Sequence, residues 1–270
     1  MDKRILYAAG GVAALSIAVG AYFFFKPELP KPEVAVVKEA PPPLPPPPPP
    51  APEPAPEVVE VLPPPPPPLP PLPSLSKSDS FVFKAMRGLA ESPSAMKLFR
   101  SKRIIRNMVA TVVSLPQQRV PVKRMPVRSP SGKFLVAGTP DDLTISPKNA
   151  NRYRRYVSIA KAVEAKQLVA LYIRLYPLFQ EAYAELGYPN NRFNDQLNET
   201  LDDLLATPAL KGSPKLVQPR YFYLYADPNI EAQSVGQKIM LRLGKRNLGV
   251  VKQKLSEIKL ELAQHKDVFK

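Results

Sequence analysis

Of the 270 residues 37 are proline and 11 are glycine, and 24 of the prolines fall between Pro27 and Pro73, so a large part of the chain cannot be packed core. Cysteine and tryptophan are absent and His265 is the single histidine, which excludes thiolate catalysis, a Cys/His zinc site and a disulfide framework. The formal charge of +15 is unevenly held: residues 1–73 carry 5 Lys/Arg and 7 Asp/Glu, whereas residues 74–270 carry 33 and 16, a formal +17 that favours an anionic partner or surface.

Residues 5–25 contain 21 positions without a charge. At ~1.5 Å per residue such a helix spans the roughly 30 Å hydrocarbon layer of a bilayer, which predicts a single-pass transmembrane anchor. Residues 1–4, with Lys3, Arg4 and the terminal amine, then form a cytoplasmic tail, and the rest of the chain is exported, although Lys26, Lys31 and Lys38 flank the other end. Residues 26–73 form a proline-rich spacer. Runs such as 41–50 and 63–73 lack most backbone donors and have fixed φ, which forbids helix and sheet and leaves polyproline II. At ~3.1 Å per residue, residues 27–73 reach roughly 145 Å when extended. Within the spacer, residues 57–62 form an extended docking strip or plain tether.

Residues 74–270 read as one basic, mostly helical domain, a bundle with a few short β segments. Ser78 or Asp79 caps a helix with Val82, Ala85, Met86 and Leu89 on one face. Ser92-Pro93 opens a second helix through Ile104, Ile105, Met108, Val109, Val112 and Val113 to Pro116, whose other faces carry Lys97, Arg100, Lys102, Arg103 and Arg106. Between Arg119 and Gly138, proline, alternation and a Ser-Pro-Ser-Gly turn predict a ribbon or extended arm. Helical periodicity returns over 151–186, with a kink at Pro177 and a stop at Gly187 and Pro189. Asn190 or Asn191 caps the next helix, with Phe193, Leu197, Leu201, Leu204 and Leu205. Residues 221–225 have strand composition, and Asp227-Pro228 starts a helix running to about Gly244. A last helix places Leu248, Val251, Leu255, Ile258 and Leu262 in one stripe.

The run Leu168-Val169-Ala170-Leu171-Tyr172-Ile173-Arg174-Leu175-Tyr176-Pro177-Leu178-Phe179-Gln180, continuing through Tyr183, Glu185-Leu186-Gly187-Tyr188-Pro189 to Phe193-Asn194, resembles the central motif of domain-of-unknown-function (DUF) family 3014. Leu204-Leu205-Ala206-Thr207-Pro208, Tyr225-Ala226-Asp227-Pro228 and Ser234-Val235-Gly236-Gln237-Lys238 resemble its later blocks, in order, and Met108-Val109-Ala110-Thr111-Val112 an earlier one. The resemblance covers most of residues 75–260 and implies a bacterial protein with the same anchor and spacer, but no activity. With it, the expected place is the bacterial inner membrane, N-terminus cytoplasmic and C-terminal domain periplasmic.

Two kinds of site are expected. Residues 84–133 hold twelve basic side chains against Glu91 alone, and Lys97, Arg100, Lys102, Arg103, Arg106, Arg119, Lys123, Arg124 and Arg128 are the candidates for contacting an anionic partner. Arg174, Gln180, Tyr183, Arg192 and Asp195 form either a polar pocket near the Pro177 kink or a buried hydrogen-bond network. No metal, cofactor or catalytic constellation is expected. Asp227 reads as a helix cap, and Asp202 and Asp203 as a solvated face. The favoured function is an envelope binding or scaffolding protein that holds its basic domain on a proline arm against an anionic partner. An alternative places the domain in the cytoplasm as a membrane-tethered nucleic-acid binder, and a further one is an envelope hydrolase using Asp195 or Asp227.

Overall fold

The computed structural model describes residues 70–89, 93–119 and 124–269. The expected tail, anchor and nearly all of the spacer, residues 1–69, lie outside that range, as does Lys123. Among the described residues no helix is long and apolar enough to cross a membrane. These residues fold mainly into helices, with four short strands.

After a 3-10 turn at Leu75–Lys77, helix α1 (Asp79–Leu89) buries Val82, Met86 and Leu89, the face its spacing predicts. The Asp79 carboxylate is used elsewhere: its two oxygens accept the backbone N–H groups of Arg103 at 2.7 Å and Ile104 at 2.8 Å, at the start of a different helix. The single helix expected from Pro93 to Pro116 is two, α2 (Pro93–Met96) and α3 (Ile104–Ser114). Tertiary pairing interrupts it. Phe99 is buried and forms an antiparallel bridge with Val127, flanked by hydrogen bonds from Arg100 N–H to the Pro126 carbonyl and from Arg128 N–H to the Leu98 carbonyl. Arg103 then reverses the chain in the left-handed region, φ 53°, a conformation costly for a side chain with a Cβ and held here by Asp79.

The expected continuous helix over 151–186 is also divided. A 3-10 turn, Pro147–Tyr153, leads into α4 (Arg154–Ala162), and α5 (Ala165–Glu185) begins after Val163 and Glu164, both extended. No proline or glycine marks this break. Val163 is buried, and the bend lets α4 pack on the last helix while α5 packs on both α3 and that helix. Pro177 lies inside α5, which runs through it unbroken. The end of α5 follows the glycine signal: Gly187 has φ 114°, Gly187 N–H bonds the Ala184 carbonyl and Tyr188 N–H the Tyr183 carbonyl, and the Tyr183 and Tyr188 rings stack at 4.8 Å.

Helix α6 (Phe193–Leu205) is not capped by Asn190 or Asn191; Arg192 occupies the N-cap position without a side-chain cap. Instead the Gln180 side chain accepts the Phe193 N–H at 2.9 Å. Asp227 caps α7 (Pro228–Glu231) through the Asn229 N–H, as expected, but the helix ends there. Ser234 starts α8 (Val235–Arg242) by accepting the Gln237 N–H at 3.0 Å. Helix α9 (Lys245–Gln264) buries Leu248, Val251, Leu255, Ile258 and Leu262 against α4, α5 and α6, so its stripe is used within the domain.

The main core lies between α3, α5, α6 and α9. A smaller one sits under an antiparallel sheet of β1 (Val136–Ala137), β2 (Leu143–Ile145), β3 (Lys215–Val217) and β4 (Leu224–Tyr225), paired in that order. The register places Val136 opposite Ile145, Leu143 opposite Leu216 and Leu216 opposite Tyr225, so alternate residues face Ile230 and Leu241 beneath.

Candidate functional site: a basic groove

The reversal between α2 and α3 builds the site. Alternation along the Phe99–Val127 bridge buries those two side chains and sends their neighbours Arg100 and Arg128 outward. The turn at Arg103 brings Lys102 and Arg103 to the same place, and the first turns of α3 add Arg106 and Asn107. Asn107 fastens the turn by donating its side-chain amide to the Lys102 carbonyl at 3.1 Å. The end of α5 closes the other wall with Ala182, Glu185 and Leu186. The result is an open groove of about 650 Å³, lined by Arg100, Lys102, Arg103, Arg106, Arg124 and Arg128 with one carboxylate, Glu185. That volume lies within the roughly 300–1,000 Å³ of small-ligand sites.

Glu185 is spoken for. Arg106 Nε donates to Oε2 at 2.6 Å and Nη2 to Oε1 at 2.8 Å, a two-pronged pair between side chains that both reach solvent. The donated hydrogen bonds of Arg106 hold the Glu185 carboxyl below its usual range, and Glu185 in turn raises the Arg106 guanidinium. The N-terminus of α3 is likewise occupied, by Asp79. What the groove has left to offer is the positive side chains of its walls.

Six of the nine basic residues singled out in the sequence therefore converge, while Lys97 and Arg119 are exposed outside the groove lining and Lys123 lies outside the described residues. Glu185 was not foreseen: it stands 79 positions from Arg106, and only the fold pairs them. Ala182 and Leu186 escaped notice for the same reason, and Asn107 because an uncharged residue beside Arg106 carries no signal of its own.

The second predicted set is arranged as a clasp around the loop between α5 and α6. Gln180 accepts the Phe193 N–H and donates to the Asn191 carbonyl at 2.8 Å. Tyr183 is buried and its ring meets Phe193 edge-on, 5.6 Å between centroids. Arg192 reaches the Phe269 carbonyl at 3.4 Å and lies 3.9 Å from the Asp195 carboxylate. Arg174 stands apart, its guanidinium over the Phe81 ring at 5.2 Å. Of the carboxylates, Asp202 pairs with Lys259, and Asp203 accepts the Ser234 hydroxyl at 2.6 Å. Burial raises the Asp203 carboxyl above its usual range, against the lowering effect of that hydroxyl. Among the described residues no three His, Asp or Glu side chains gather as metal ligands would.

Comparison with known proteins adds one match. The sequence model of a family described as a protein of unknown function (DUF3014) covers residues 104–259, which include α3 with Arg106, the Arg124 and Arg128 segment and the Glu185 wall. No curated protein and no solved structure is significantly similar to the chain.

Proposed function

Because the chain belongs to the DUF3014 family, whose description carries no activity, we propose its function from the groove: it is a binding protein of the bacterial cell envelope that presents a basic helical domain to an anionic partner. The observation that carries this reading is the convergence of Arg100, Lys102, Arg103, Arg106, Arg124 and Arg128 on one open groove. Charge on a domain can serve solubility alone, but then it has no reason to gather on one concave surface. In this reading residues 5–25 anchor the chain in the inner membrane, residues 26–73 hold the domain away from it, and the spacer sets which surfaces the domain can reach.

Binding rather than hydrolysis is favoured by the state of the carboxylates. Asp227 is used as a helix cap, and Asp195 is exposed beside Arg192, 3.9 Å from its guanidinium.

The test has two arms. Alkaline phosphatase, active only after export, and a cytoplasm-dependent fluorescent reporter are each fused after Lys270. Phosphatase activity without fluorescence is expected, and the reverse would sink the envelope reading, move the domain to the cytoplasm and make salt-dependent nucleic-acid binding the next test. In the second arm the full chain in an uncharged detergent is passed over an immobilised polyanion, and the triple variant Arg100→Glu, Arg124→Glu, Arg128→Glu should elute at markedly lower salt. Equal elution of parent and variant would sink the groove as the binding surface.

A further inference from the structure

The groove contains its own clue to the kind of anion it takes. Arg106 already holds a planar two-oxygen anion in a fork, with both contacts under 3 Å, so its guanidinium is aimed into the groove and set for bidentate recognition. The anion it holds is carried by this chain, at the last residue of α5. Glu185 is the one carboxylate of the lining and Asp79 and Glu181 lie near enough to act on Arg106, so six basic side chains still outnumber the carboxylates around them, an excess that suits a ligand with several negative charges in a small volume. Five of the six are arginines, whose fork suits phosphate as well as carboxylate. The apolar part of the lining is Ala182 and Leu186, too little to grip the side chains of an acidic peptide. Among the described residues no aromatic ring lines the groove, so the stacking platform that single-stranded nucleic acid uses is missing.

Resting on the groove reading above, we propose that the groove binds a phosphate-bearing anion and that the Glu185 carboxylate on Arg106 is its resident substitute, competing with the ligand for that guanidinium. Glu185 thus sets the affinity. Exposed ion pairs contribute little to folding, so the pair can open without unfolding α3 or α5, and Glu185→Gln keeps the shape of the wall while removing the competing charge. The phosphate can come from a lipid headgroup or from a soluble ligand, since the groove is open on one side.

The test uses the full chain in an uncharged detergent, titrated calorimetrically with inorganic pyrophosphate and, at matched ionic strength, with citrate as a carboxylate of similar charge. Pyrophosphate should bind more tightly than citrate, and Glu185→Gln should tighten it on the order of fivefold, the size of one unit charge at ~4 Å in a high dielectric. Arg100→Glu with Arg128→Glu should weaken it at least as much. Sedimentation with phosphatidylglycerol vesicles against phosphatidylcholine vesicles separates the sources. Vesicle binding without pyrophosphate binding assigns the phosphate to a lipid, and pyrophosphate binding alone to a soluble ligand. Citrate binding as tightly as pyrophosphate, or an unchanged affinity in Glu185→Gln, overturns the proposal while the double variant's loss still upholds the groove. Parent chain that binds neither anion nor anionic vesicles overturns both.

Discussion

Gln180 and Phe193 are joined by a hydrogen bond of 2.9 Å from the backbone N–H at the start of α6 to a side-chain oxygen on α5. The same side chain donates to the Asn191 carbonyl at 2.8 Å and receives the Tyr176 hydroxyl at 3.3 Å. One amide thereby caps a helix and fastens the loop that leads to it. Loss of a helix cap costs roughly 0.5–2 kcal/mol, and the Asn191 carbonyl loses a partner as well. Gln180→Ala should therefore lower stability by about 1–2 kcal/mol in urea denaturation, whereas Asn190→Ala should stay within about 0.5 kcal/mol. The opposite order would return the capping role to the asparagine.

Two glycines in helices should respond to alanine with opposite signs. At Gly236, in the first turn of α8, an added Cβ would lie 2.7 Å from Leu204 Cδ2 and 3.0 Å from the Leu115 carbonyl oxygen. The Leu204 methyl can turn aside, but the carbonyl is backbone and accepts the Gly236 N–H at 2.9 Å. Gly236→Ala should cost about 1–3 kcal/mol, as overpacking does. Gly249 is exposed within α9 and a Cβ there meets nothing within 4 Å. Its replacement by alanine should stabilise the domain by about 0.5–1 kcal/mol, because glycine loses more backbone freedom on joining a helix. Thermal melts of the two variants beside the parent decide both.

The helices with one unbroken apolar stripe, α1 and α9, could be read from spacing alone, because their burial follows the 3.6-residue period. The breaks at Phe99 and at Val163 could not. Each interrupted helix keeps apolar residues where a helix would want them, and the chain turns because Phe99 finds Val127 and because α4 finds α9, contacts with no local signature. Strand β3 was equally hidden: three residues with Leu216 alone buried carry no period. Clustered charge at 84–133 announced an anionic partner, but its convergence depends on the Arg103 reversal and on α5, whose Glu185 belongs to another part of the chain. Gln180, Arg192 and Asp195 were recognisable as a polar group, while their work as a clasp follows from the Gly187 turn that folds the loop over them.

Asp203 gives the domain a dependence on pH. Burial raises its carboxyl in the folded state, with Glu199 adding to the rise and the Ser234 hydroxyl opposing it. A carboxyl with a raised folded value favours folding while it is protonated. That contribution is full below the unfolded value near ~3.9 and is lost as pH climbs through the folded value. Asparagine at this position cannot ionise and can still accept the Ser234 hydroxyl. The melting temperature of Asp203→Asn relative to the parent should therefore rise as pH climbs from the unfolded value near ~3.9 through the raised folded value, and level off above it. A difference that is flat, or that falls, would show that the carboxylate is better accommodated than its burial implies.

The 3-10 turn Lys266–Phe269 is structural. Phe269 is buried, with its ring 4.9 Å from Tyr176 and 5.5 Å from Tyr172, and its carbonyl accepts from Arg192. It closes an aromatic group in which Tyr172 also meets Phe179 and Phe193, so the turn Lys266–Phe269 seals the α5–α6 side of the core. Burying a phenylalanine is worth roughly 3–5 kcal/mol when the ring is removed from a rigid core. Here the segment can fray before the rest of the domain opens, which brings the global loss to or below the lower end of that range. Phe269→Ala should therefore reduce stability by about 2–3 kcal/mol, and in hydrogen exchange it should deprotect amides at the C-terminus of α9 before those of α3. Unchanged protection there, with unchanged stability, would mean that Tyr172 and Tyr176 close over the vacated space without it.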